Sequence, residues 1–221
     1  MNFGAVIFDL DGTLLNTLED LADSMNCVLE RNRLPAHELA AYNYFVGDGV
    51  EMLVRRALPF EVADQEEFQR FVREMKSEYA RRWADKTRPY AGVPDMLNAF
   101  SAAGFEMAVL SNKPDDATHK IIKRFFPDAP FRLVIGATPE KPKKPDPTAA
   151  LEIADRIRLP PEQFLFVGDT SIDMRTSIAA GMFPVGVLWG FRPREELIAA
   201  GAKMLIERPT DLWPRLAGRR A

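Results

Sequence analysis

The sequence predicts an α/β fold, a doubly wound parallel sheet into which an all-helical segment is inserted. Three observations predict it. The runs Ala5 to Phe8, Ala108 to Leu110 and Phe164 to Val167 are continuously apolar, as strands buried inside a parallel sheet are. After Pro89 such runs alternate with stretches of helical period, which implies right-handed crossovers. Between Glu19 and Trp83 no strand-like run occurs, and apolar residues recur at helical spacing.

Taken in order, the first strand, Ala5 to Phe8, ends at Asp9-Leu10-Asp11-Gly12-Thr13. The insert follows as three or more helices. Leu21, Met25, Val28 and Leu29 mark the first, Met52, Leu53, Arg56 and Ala57 the second, and Phe68, Phe71, Val72, Met75 and Tyr79 the third. The loop Phe45-Val46-Gly47-Asp48-Gly49 lies among them. Hinges are expected at Leu15 to Thr17 and Asp85 to Pro89, so that residues 1–16 and 86–221 form the core and 17–85 the helical insert. Helix Pro94 to Ala102 then leads to strand Phe105 to Leu110, and helix Asp115 to Phe125 to strand Phe131 to Ile135. Helix Thr148 to Ile157 leads to strand Phe164 to Val167. Helix Ile172 to Ala180, closed by Gly181, leads to strand Val185 to Trp189. Helix Glu195 to Ala200 and strand Met204 to Ile206 finish the sheet. The basic tail from Trp213 to Ala221 is expected to be loosely ordered.

Bulk composition narrows the function. At 221 residues the chain can hold one large domain, or one core with a smaller module. Lys and Arg number 29 against 32 Asp and Glu, a net charge of −3 that offers no general field for nucleic acid or anionic lipid. An anion must therefore be held by a local constellation. Cys27 is the only cysteine, which excludes an internal disulfide and a zinc cage of thiolates, and it reads as a small core residue. No apolar run reaches the length of about 18 residues that a membrane span needs. The start, Met1-Asn2-Phe3-Gly4, lacks the basic region of a signal peptide, so the cytoplasm is the expected location.

The chemistry sits at the strand ends. In a doubly wound sheet, groups just past the carboxyl ends of strands converge on one crevice. Three carboxylates, a hydroxyl and one ammonium meeting there describe a magnesium-dependent phosphoryl-transfer site. Asp9 and Asp11 are a close pair whose repulsion raises at least one pKa unless a cation sits between them. Such a pair can divide the roles of ionised nucleophile and protonated acid. Gly12 lets the backbone approach a phosphate, and Thr13 can cap the following turn. Ser111 and Asn112 precede a helix, where a hydroxyl and backbone N–H groups bind phosphate oxygens or simply cap the helix. Lys144 lies in Lys144-Pro145-Asp146-Pro147, stiffened by prolines that would hold an ammonium in place. Lys141 and Lys143 read as solvated. Asp169 offers the hard oxygen that suits Mg²⁺. Asp173 is either a first-turn helix acid or stands behind the ion, orienting a magnesium-bound water or Lys144.

These four segments, in this order, resemble the four motifs of the haloacid dehalogenase-like hydrolase superfamily, across the whole chain. The helical insert resembles its C1-type cap on a Rossmann-like core. Within the superfamily the chain is most similar to phosphoglycolate phosphatases. Further points of likeness are Val46-Gly47-Asp48-Gly49, Tyr90-Ala91-Gly92-Val93, Leu110-Ser111-Asn112-Lys113-Pro114 and Val167-Gly168-Asp169-Thr170. The resemblance implies that Asp9 attacks phosphorus and forms an aspartyl-phosphate, and that Asp11 protonates the leaving alcohol and then activates water. It implies a magnesium ion held by the Asp9 carboxylate, the Asp11 carbonyl and the Asp169 carboxylate, with Ser111 and Lys144 on the transferring group. An acid at Asp11, absent from the dehalogenase and phosphonatase branches, implies a phosphate ester as substrate. Asn16 departs from the Asp that many relatives carry, outside the proposed chemistry.

The cap loop Gly47, Asp48 and Gly49 is the expected seat of substrate choice, whereas Arg55 and Arg56 read as a solvated helix face rather than carboxylate ligands. The expected partner is a small phosphorylated metabolite, with no nucleic acid and no membrane, for a monomer or homodimer. On the same fold a sugar-phosphate mutase resembling β-phosphoglucomutase, a pyrophosphatase or a nucleotidase are the alternatives. A phospho-accepting signalling module uses a similar strand-end constellation, but it is shorter and has no helical insert after its first strand.

Overall fold

The computed structural model describes residues 3–59, 61 and 64–217. Its elements run β1 (Ala5–Phe8), β2 (Leu15–Asn16), α1 (Leu18–Arg31), α2 (Leu39–Phe45), α3 (Val50–Ala57) and α4 (Gln65–Arg82). There follow β3 (Arg88–Pro89), α5 (Val93–Ala102), β4 (Glu106–Pro114), α6 (Asp115–Phe125), β5 (Phe131–Ala137) and α7 (Thr148–Ile157). The chain finishes with β6 (Phe164–Gly168), α8 (Ser171–Ala179), β7 (Phe183–Val187), α9 (Arg194–Ala199), β8 (Met204–Ile206) and α10 (Leu212–Ala217).

Two compact units result. One runs to Leu15 and resumes at Pro89; the other is Asn16–Arg88. The first contains a six-stranded parallel sheet in the order β5-β4-β1-β6-β7-β8. Strand β1 lies between β4 and β6, so the strand order reverses beside it. Such a reversal opens a crevice at the carboxyl ends of the strands. All four residues of β1 are fully buried because both faces of the sheet are covered. Ile7, Ala108, Phe164 and Phe166 pack with Ala150 and Ile153 of α7 to form one face of the core.

The regular elements of the second unit are helices, apart from the ends of the short β2/β3 pair that join it to the first. Helix α4 starts where Asp64 accepts the Glu66 N–H (2.9 Å), an N-cap. It is tied to α1 through Glu78, a buried carboxylate that takes Arg31 (2.7 Å), Arg81 (2.8 Å) and Arg82 (2.6 Å). Asp20 of α1 accepts the Thr87 N–H (2.8 Å) and hydroxyl (2.7 Å), fixing where the chain leaves the unit. Cys27, expected in the core, is only half-buried, with the Arg82 guanidinium 3.8 Å from its sulfur.

Several boundaries differ from the expected ones, most clearly at β4, β7 and the tail. Strand β4 continues past Leu110 to Pro114, because after a register shift Pro114 pairs with Ala137. Strand β7 starts at Phe183 and stops at Val187, so Trp189 belongs to the loop that follows. The tail expected to be loose from Trp213 onward begins as α10, where Leu212 and Leu216 are buried and Trp213 meets Phe100 and Phe105 edge-on at 5.8 and 5.7 Å. Residues 218–221 of that tail lie outside the described residues.

Candidate active site

Parallel register sets the site. Phe8 of β1 is level with Val109 of β4 and Val167 of β6. Asp9 therefore emerges one residue later, and Ser111 and Asp169 two residues later, on the same rim. The Asp9 N–H still donates to the Val167 carbonyl (2.9 Å), which holds the start of the turn against β6.

One oxygen from each of Asp9, Asp169 and Asp173 lies within 4.8 Å of the others, and all three residues are buried. Lys144 reaches into this group, with its Nζ 2.7 Å from Asp9 Oδ1 and 2.7 Å from Asp173 Oδ1. Three carboxylates thus face one ammonium. Burial first, then Asp173, push the Asp9 carboxyl well above the usual carboxylate range, and Lys144 only partly opposes them. The same two causes raise Asp169 to about 7, against donation from Phe191 and Thr13. Burial alone would pull the Lys144 ammonium down, but Asp173 and Asp9 hold it above the ordinary lysine value. The site accordingly lacks positive charge. Its donors are all hard oxygens, and that set fits a divalent cation such as Mg²⁺.

The surroundings aim these groups. Thr13 Oγ1 donates to Asp169 Oδ1 (3.1 Å) and the Phe191 N–H to Asp169 Oδ2 (2.8 Å). A Cβ at Gly12 would meet the Asp169 carboxylate, and one at Gly190 would meet its Cβ and Cγ. Gly12 also has φ 89°, so glycine is required twice over there. Trp189 Nε1 donates to the Thr13 carbonyl (2.9 Å), pinning the loop after β1 to the loop after β7. Asp173 is the third residue of α8 and closes a capping box with Thr170 while its other oxygen takes Lys144. It is at once a first-turn helix acid and a partner of Lys144.

Asp11, Asn112 and Ser111 lie outside the acidic cluster and make contacts of their own. The Asp11 carboxylate is not in the acidic cluster; Lys113 Nζ grips both its oxygens, at 3.1 and 2.9 Å. The Asn112 side chain, expected on phosphate, bonds the Lys144 backbone instead: Nδ2 donates to its carbonyl (3.1 Å) and Oδ1 accepts its N–H (2.9 Å). Ser111 is buried, and its hydroxyl oxygen accepts the Lys113 N–H (3.2 Å).

In the helical unit, Gly47 and Gly49 both have positive φ, and Asp48 between them is ion-paired with Arg56. Arg56 also donates to the Tyr44 and Phe45 carbonyls at 3.3 Å, so it anchors the loop to the end of α2 while staying partly exposed. Arg55 stacks on Phe68 at 4.5 Å. Lys113, Trp189 and Gly190 were given no place at the site by the sequence reading. For Lys113 the available signal was a charged residue between Asn112 and a proline at the end of an apolar run.

Comparison with known proteins agrees with the site. The haloacid dehalogenase-like hydrolase profile matches residues 6–187. A phosphoglycolate phosphatase of Pseudomonas putida is 33% identical over 216 residues, covering 96% of this chain and 79% of that protein. A phosphoglycolate phosphatase of Xanthomonas campestris pv. campestris is 31% identical over 95% of this chain and 94% of its own length. The crystal structure of a predicted phosphoglycolate phosphatase from Haemophilus somnus matches with a TM-score of 0.90 at 28% identity, covering 98% of this chain and 99% of that one. With its strand order, its acidic rim and these relatives in agreement, the chain belongs to the haloacid dehalogenase-like hydrolase family.

Proposed function

We propose that this phosphatase hydrolyses 2-phosphoglycolate to glycolate and phosphate, with Mg²⁺ bound and with Asp9 as nucleophile. The observation that carries the reading is the Asp9–Lys144–Asp173 chain beside Asp169: a buried carboxylate, held by a fixed ammonium, at the rim where β1 ends. The relatives named phosphoglycolate phosphatase support the substrate. No described helix is long and apolar enough to cross a membrane, and a cytoplasmic enzyme acting on a small metabolite is part of the proposal.

In the proposed cycle an Asp9 oxygen bonds to phosphorus as the ester P–O bond breaks, and the departing alkoxide takes a proton from Asp11. Water then attacks the aspartyl-phosphate and gives its proton to Asp11, and the Asp9–phosphorus bond breaks to release phosphate. Ser111 and Lys144 hold phosphoryl oxygens, and Lys144 neutralises charge where it develops. Asp9 and Asp169 would hold the metal ion, which supplies further positive charge against the same oxygens. Thr13, Gly12 and Gly190 keep Asp169 aimed. The loop Gly47, Asp48 and Gly49 is proposed to select the substrate.

A panel of small phosphate esters tests the proposal, with phosphate release measured in Mg²⁺. The highest kcat/KM is expected on 2-phosphoglycolate. EDTA should silence the enzyme and added Mg²⁺ restore it, and Asp9→Asn should reduce release to background while the circular dichroism spectrum stays unchanged. Activity kept by Asp9→Asn would remove the nucleophile assignment. Isomer formation from glucose 1-phosphate, in place of phosphate release, would make the enzyme a mutase.

A further inference from the structure

Lys113 is a buried lysine that the proposed cycle does not use. Its side chain is 5% exposed, and its ammonium contacts both carboxylate oxygens of Asp11, itself 14% exposed. Its backbone is fixed as well. The N–H donates to Ser111 Oγ (3.2 Å), and the carbonyl accepts from Thr118 Oγ1 (3.2 Å). Lys113 reaches this place because β4 runs on past Leu110 to Pro114, carrying it along the rim next to the turn that holds Asp11.

Burying an ammonium is costly unless it is paired, and a lysine rarely gives up water without a specific partner. Here the partner is the Asp11 carboxylate, which lies outside the acidic cluster. Lys113 Nζ holds both oxygens of that carboxylate, and a grip on both fixes its direction. A proton-transfer group works only when held within hydrogen-bond reach of the proton it moves.

We propose that Lys113 is a positioning residue that aims the Asp11 carboxylate for both proton transfers. The inference rests on the assignment of Asp11 as acid and base. It makes a prediction that neither a purely structural lysine nor a phosphate ligand shares. An alkyl phosphate needs Asp11 in both half-reactions, because its alkoxide must be protonated and water must later be activated. p-Nitrophenyl phosphate needs it only in the second, since p-nitrophenolate leaves without a proton. If Asp11 loses its aim, p-nitrophenol should be released in a burst of one equivalent per active site, followed by slow turnover.

The experiment is stopped-flow p-nitrophenol release and steady-state phosphate release, for wild type, Lys113→Met and Lys113→Arg. For Lys113→Met, kcat on 2-phosphoglycolate is expected to fall by roughly 10- to 100-fold, part of what general acid–base catalysis contributes, with KM little changed. On p-nitrophenyl phosphate the ratio of burst rate to steady-state rate should rise by at least about tenfold over wild type. Lys113→Arg, which keeps a cationic donor, should recover most of both. An unchanged ratio, or a raised KM with a slowed first phase, would overturn the inference and make Lys113 structural or a phosphate ligand. Should Lys113→Met not fold, Lys113→Gln carries the same readout. Wild type that released no phosphate from either ester would instead strike the functional reading itself.

Discussion

Asp169 concentrates the electrostatics of the site in one residue. It is fully buried, faces Asp173 and has its carboxyl raised to about 7, while Thr13 and Phe191 hold its oxygens in place. A cation that binds there has to displace a proton whenever the pH lies below that value. The apparent affinity for Mg²⁺ should therefore strengthen as pH rises from about 5 to about 7, with proton release. Calorimetric titrations in two buffers of different ionisation heat would read that release; equal heats and a flat affinity would mean that Asp169 carries no proton for a cation to displace. Gly190→Ala should weaken the same binding, because the added methyl meets Asp169 itself. The residues that follow apolar runs directly, Asp9 and Asp169, were legible in the sequence, since a buried strand ending in an acid has little other reason to do so. Asn112 and Lys113 were not. Their partners lie 32 and 102 residues away in the chain, and only the sheet brings them together.

Between elements, single side chains carry the joints. Asn112 fastens the end of β4 to the backbone of Lys144 with two hydrogen bonds. Asn112→Ala would leave both backbone groups without those bonds and let the lysine segment drift. Misplacement of about 1 Å can cost on the order of 100-fold in rate, so turnover should fall by roughly 10- to 100-fold. Chemical unfolding should record a loss of about 1–3 kcal/mol. A loss of stability with turnover intact would show that Lys144 holds its place without Asn112. In the helical unit, Glu78→Gln should cost about 1–3 kcal/mol, because a charge-assisted partner is removed from three arginines that can regain water. Periodicity found α1, α3 and α4 because apolar stripes persist through single polar residues, but α2, seven residues long with only Tyr42 buried, carried too short a stripe to mark. Periodicity misjudged the ends of β4 and β7, because a strand boundary depends on cross-strand pairing. Pro114 pairs with Ala137, and Val187 is the last β7 residue in register with β8.

For the whole molecule, the charge imbalance of the site must appear as a dependence of stability on pH. Asp9 and Asp169 have folded-state carboxyls above the ordinary value of 3.8, so between there and about 7 the folded chain binds more protons than the unfolded one. Stability from these two groups is complete at the acid end and is lost as pH rises. Lys144 does not offset this within that window, since a lysine held above its ordinary 10.5 stays charged in both states. For Asp169 the loss grows as pH rises from the ordinary carboxylate range toward about 7, when no cation is bound. Other carboxylates titrate over the same range, so the comparison that isolates the effect is wild type against Asp169→Asn. In chelator at pH 7 the variant should resist urea better than wild type, and the advantage should shrink toward pH 4. Millimolar Mg²⁺ should raise wild type and leave the variant where it was. A variant that is less stable than wild type in chelator at pH 7 would mean that the buried carboxylates are not held at a cost to the fold. The acidic rim would then be no site kept in tension for a cation.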